Sequence, residues 1–162
     1  MGHNIYCLPV NEEIKNYFQK TRPNEPIAEE QTRSLTYEDL SLILDRLKLW
    51  GWSVEGDYKS SKKFDIEISR EIDGDEGRNL YITLWIEQNN GKPCLSFHKG
   101  RHSVGLFITR EIAKLCGSQC VFNDQGDCYI VTGNMDLTPL MTQWLNEDLY
   151  DENSWRQITS EK

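Results

Sequence analysis

A chain of 162 residues with 38% hydrophobic and 27% charged residues has the composition of one soluble globular domain, large enough to bury roughly 70% of its unfolded surface. Its formal net charge of -8 opposes non-specific nucleic-acid binding, which needs a basic footprint, and favours basic partners. No run approaches the ~20 apolar residues of a membrane span, and the start MGHNIYCLPV lacks the basic and apolar regions of a secretion signal, so the five cysteines are expected to be free thiols in the cytoplasm.

The apolar stretch Ile5 to Val10 predicts a short strand. Asn11 then caps a helix carrying Ile14, Tyr17 and Phe18, which must end near Arg22 and Pro23, because a residue before proline avoids the helical region. Residues 22–34 hold two prolines and little periodicity and are expected to form a loop. A second helix follows: Thr36 is its N-cap with Asp39 near a capping-box position, Leu35 can staple onto Leu40, and Leu40, Ile43, Leu44 and Leu47 form a stripe that Gly51 ends.

From Trp52 the period changes to two. FDIEISREI alternates Phe64, Ile66 and Ile68 inward with Asp65, Glu67 and Ser69 outward, as a strand with one solvated face does. LYITLWIEQ is the next strand, and Asn90 with Gly91 signals a two-residue type I′ hairpin. With those two at the turn, Ile86 faces Leu95 and Leu84 faces Phe97, so the aliphatic residues of both strands share one face. Ser103 is expected to cap a helix with Val104, Ile108, Ile112 and Leu115 on one side, ended by Gly117. QCVFNDQGDCYIVTG reads as a second hairpin turning at Asp124 to Gly126. Thr138 and Pro139 open a last helix with Leu140, Met141, Trp144 and Leu145 inward, and a polar, fraying tail over residues 151–162 follows, from which Trp155 can dock. The expected architecture is a single α+β domain over residues 1–150, with an antiparallel sheet of five or six strands and helices packed mainly on one face.

The segment CLSFHKGRHSVG concentrates the chain's chemistry-bearing residues. Cys94, His98 and His102 are zinc-type ligands, but Cys94 and His98 sit on a strand where four residues span ~13 Å, too far to share an ion. Cys116, Cys120 and Cys128 straddle a helix end and a hairpin without ligand spacing, so no metal site and no cofactor is expected. His98, Lys99, Arg101, His102 and Ser103 lie where a strand passes into a helix, and a phosphate or carboxylate can sit at such a junction; that makes a small-ligand domain or hydrolase the alternative reading. No convergent nucleophile and base is legible. GDYKSSKK lacks the second glycine and the Gly-Lys-Ser/Thr ending of a phosphate loop, and DGDEGRN lacks the closing glutamate of a calcium loop. No catalytic residue is therefore assigned.

The outward face of the central strands is more informative. Asp65, Glu67, Glu71, Tyr81, Trp85 and Glu87 all point away from the expected core, as does His98, and the six mix carboxylates with two large aromatics, the composition of a protein-binding hot spot. In size, acidity and helix–sheet order the chain resembles the small immunity proteins that bacteria keep beside secreted toxins. The run from YITLWIEQNNGKPCLSFHKG through SVGLFITREIAKLCG, a hairpin delivering a helix, comes closest to a shared signature. The resemblance implies a cytoplasmic, non-enzymatic inhibitor that binds a basic toxin. It carries over no residue roles.

Overall fold

The fold is that of a computed structural model describing residues 4–24, 31–58, 64–71 and 79–144. Seven strands form one sheet: β1 (Ile5–Pro9), β2 (Ser53–Glu55), β3 (Phe64–Glu71), β4 (Asn79–Asn89), β5 (Lys92–Gly100), β6 (Gln119–Asn123) and β7 (Cys128–Val131), in the order β2-β3-β4-β5-β1-β6-β7. Every pairing is antiparallel. The helices are α1 (Glu12–Thr21), α2 (Tyr37–Leu49) and α3 (His102–Cys116), followed by a π-helical turn at Leu140–Trp144. The α+β architecture is as the patterns imply, with one strand more than expected. The extra strand is β2, whose three residues are too few to display an alternation.

Local chemistry explains most element ends. The Asn11 side chain accepts from the Ile14 amide at 2.9 Å and starts α1. Thr36 and Asp39 form both halves of the capping box on α2. In the β4–β5 hairpin Asn90 and Gly91 take φ of 52° and 78°, as a type I′ turn requires, and the register pairs Ile86 with Leu95 and Leu84 with Phe97.

The register places the core. Ile66, Ile68, Leu80, Ile82, Leu84, Ile86, Leu95 and Phe97 are buried on the sheet's inner face, beneath α2 and α3. The side chains of Phe64 and Glu71 lie outside the described residues, as do Leu145, Trp155 and the tail, and most of the two polar segments weighed as ligand loops.

α3 departs from the expected one-sided stripe. Leu106, Phe107, Thr109 and Glu111 are buried as well as Val104, Ile108 and Ile112, because the sheet covers one side, α2 another, and the Arg110 guanidinium donates to the Met135 carbonyl of the segment beyond β7. The helix also begins one residue earlier than Ser103. Arg101 is its N-cap and makes no side-chain capping bond, while Ser103 sits inside the first turn and is 1% exposed.

α1 lies on the opposite, outer face. There Phe18 and Ile14 pack on Cys120, Cys128, Ile130 and Phe122, making a second small apolar cluster over β6 and β7. The outer face is thus covered at one end by α1. Its other end, over β3, β4 and β5, is the part that carries the exposed aromatics.

Candidate functional site: the outer face of β3, β4 and β5

Four strands aim their side chains outward here in register. Asp65 on β3 is opposite Trp85 on β4, which is opposite Ser96 on β5, which is opposite Tyr6 on β1. The row one pleat along runs Glu67, Thr83, His98. Trp85 and Tyr81 keep 42% and 50% of their surface exposed, unusual for residues whose burial contributes so much to folding. Asp65, Glu67 and Glu87 are exposed around them. Five of the six residues read from the sequence as one patch are therefore brought together; for Glu71 only the backbone is described, paired with Asn79.

Trp85 is not a loose exposed ring. Its indole stacks on the His98 imidazole with ring centroids 3.7 Å apart and planes 23° apart. His98 Nε2 lies 2.7 Å from the Ser96 hydroxyl, and the imidazole is 8% exposed despite standing on the solvated side of the sheet. Burial lowers the His98 pKa, against the opposing pull of Asp124, Asp65 and Glu87. The stack was legible in principle. A register that sets Leu84 against Phe97 sets Trp85 against Ser96 and so diagonal to His98, within reach for aromatic rings. Tyr6 was not legible as a neighbour, because only the insertion of β1 beside β5 puts it there.

The strand-to-helix junction does not converge. His98 is on the outer face against Trp85, Lys99 is exposed with φ of 27°, and His102 and Ser103 are buried at the start of α3. The Arg101 amide donates to the Tyr81 carbonyl at 2.8 Å, so this backbone ties β5 to β4. Among the described residues no three His, Cys, Asp or Glu side chains are placed to hold a metal ion.

A groove of about 440 Å³ opens where β1 and β5 part, lined by Cys7, Leu8, Pro93, Cys94, Leu95 and Gln119 among others. The ladder there ends at Cys7 and Leu95; continued, it would set Pro9 against Pro93, and neither has an N–H to give. Burial pushes the Cys7 thiol up to about 12, and burial with the nearby Glu87 raises Cys94, so both stay protonated at neutral pH rather than nucleophilic. No described helix is long and apolar enough to cross a membrane. No protein-family model, curated protein or solved structure matches the chain.

Proposed function

We propose that the chain is a non-enzymatic, cytoplasmic binding protein that sequesters a basic protein partner on the open end of its outer sheet face, in the manner of bacterial immunity proteins that block a toxin by binding it. The observation that carries this reading is that Trp85 and Tyr81 are exposed on the same sheet face as the exposed Asp65, Glu67 and Glu87. Large aromatics supply binding energy in the centre of such a patch, and surrounding carboxylates select and steer a positive partner. The net charge of -8 adds a long-range attraction of the same sign.

The partner to test first is a basic protein encoded beside this chain's gene. Binding measured by titration calorimetry and surface kinetics should lose more than about 1 kcal/mol on Trp85→Ala, as central aromatic anchors do. Glu67→Lys should mainly slow association, and its effect should shrink as salt is raised. Arg101→Ala should leave binding unchanged. A silent Trp85→Ala alongside a disabling Arg101→Ala would move the site to the strand-to-helix junction, and a neighbouring product that is not basic or does not bind would end the toxin-inhibitor assignment.

A further inference from the structure

The open face has a feature that an acidic docking surface does not need. A titratable imidazole lies flat against its central aromatic residue. His98 is 8% exposed, stacked on the indole and bonded to Ser96, and two of the three carboxylates that act on it, Asp65 and Glu87, are ones that a basic partner would use, the third being Asp124 of the β6–β7 turn. We infer that the Trp85–His98 pair makes docking proton-linked: the face accepts a cationic side chain of its partner while His98 is neutral, and loses affinity when His98 takes up a proton. This rests on the docking function proposed above.

The physical reason is competition between two cations for one site. On the same face as the imidazole stand Asp65 and Glu67 on β3, Glu87 on β4 and Tyr6 on β1, with Lys99 next to it in the chain and Asp124 in the turn between β6 and β7. Three of these, Asp65, Glu87 and Asp124, favour the imidazolium electrostatically. An imidazolium would also draw on the negative face of the indole, the same quadrupole that would attract an arginine or lysine of the partner. Once protonated, His98 becomes an internal counter-cation: it takes up the carboxylate field and the indole, and it repels the incoming charge. Ser96 accepts from the imidazolium, whose two nitrogens both carry protons.

The sign follows by linkage. In the free protein burial holds the His98 pKa below its ordinary value. Covering the face with a basic partner adds further burial and a like charge, both of which depress it again. The complex therefore binds fewer protons than the free protein. Affinity is full above the titration of free His98, falls as pH drops through it, and levels off once both states are protonated.

The test has two arms. In the free protein, the fluorescence of Trp85, taken as the difference between wild type and Trp85→Phe, should follow one titration below the ordinary histidine range. His98→Phe should abolish it while keeping a ring against the indole, and His98→Gln, which keeps a hydrogen-bonding group beside Ser96, serves should the phenylalanine fail to fold. In the second arm an oligoarginine peptide is titrated from about pH 7 down through the transition found in the first arm, with the two His98 variants measured alongside to subtract any other titration. Wild type should lose about fivefold or more in affinity across that transition, and both His98 variants should lose that dependence. Trp85-dependent peptide binding with a pH profile that the His98 variants share with wild type overturns the proton linkage and leaves docking intact. A Trp85 signal that titrates with His98 while no peptide binds at any pH overturns the docking function and this inference with it.

Discussion

Lys99 and Gly100 decide where the central hairpin stops being a sheet. Thr83 pairs with His98 and the next residue of β4, Ile82, pairs with Gly100, so Lys99 is one extra residue on β5, a bulge. The backbone follows with positive φ at both positions, 27° and 127°. A Cβ on Gly100 would lie 2.4 Å from the Tyr81 carbonyl oxygen, whereas one on Gly91 would meet nothing within 4 Å. Both substitutions place an alanine in a conformation that disfavours it, but only Gly100→Ala adds a collision with backbone. Gly91→Ala should cost about 1 kcal/mol and Gly100→Ala about 3 kcal/mol, read from denaturant midpoints at constant slope. Equal costs would mean that β5 can shift away from Tyr81, and the bulge would then not be what turns the chain into α3. Pro23, Asn90 and Gly91 announce their backbone roles in the sequence. The bulge does not, because Lys-Gly is an ordinary dipeptide until the opposite strand counts one residue fewer.

At the scale of an element, α2 is the part most fully written locally. Its capping box joins Thr36 and Asp39, and Arg33 reaches the same carboxylate with both terminal nitrogens, at 2.5 and 3.0 Å. The Arg33 bond, helped by the Thr36 amide and hydroxyl, holds Asp39 at about 2 against an ordinary value of 3.8. A carboxyl depressed on folding stabilises the native state above its unfolded pKa, and that contribution disappears as pH falls through 3.8 toward 2. Asp39→Asn should therefore weaken the protein at neutral pH and remove one step of its acid-induced loss of stability in that window, measured by denaturant titration at a series of pH values. Thr36→Ala should cost about 1 kcal/mol at neutral pH. An unchanged acid profile in Asp39→Asn would show that the pair is screened by water, since Arg33 is half exposed. α3 shows the opposite case. A stripe of Val104, Ile108, Ile112 and Leu115 is present, but Leu106 and Phe107 on the other side already mark a helix that needs cover all round. Its carboxylate Glu111 is 2% exposed and sits 2.5 Å from Lys114 and 3.8 Å from Arg46 of α2, which compensates the charge.

For the molecule as a whole, burial sorts the thiols. Cys7, Cys116, Cys120 and Cys128 are buried and Cys94 is half-buried at the rim of the groove. A disulfide-exchange reagent should label Cys94 first in the native protein, slowly because its thiol is raised, and all five cysteines after unfolding. A disulfide recovered from any pair would contradict the proposed cytoplasmic location. The strands other than β2, the two hairpins, the caps of α1 and α2 and the side chains on each face of β3, β4 and β5 follow from the sequence alone. They depend on period, turn residues and interactions between near neighbours, which the chain carries within a few positions. The strand order is different. That β1 sits between β5 and β6, that α1 packs over β6 and β7 rather than over β3 and β4, and that all of α3 but Arg110, Lys114 and Leu115 is buried depend on contacts between residues far apart in the chain. Local pattern says which side of a strand is apolar; only the packing of distant elements decides which side is covered. The candidate site divides along the same line. Asp65, Trp85 and Glu87 share a face because strands alternate, and the hairpin register sets His98 diagonal to Trp85, but their exposure depends on α1 packing over β6 and β7 rather than over them.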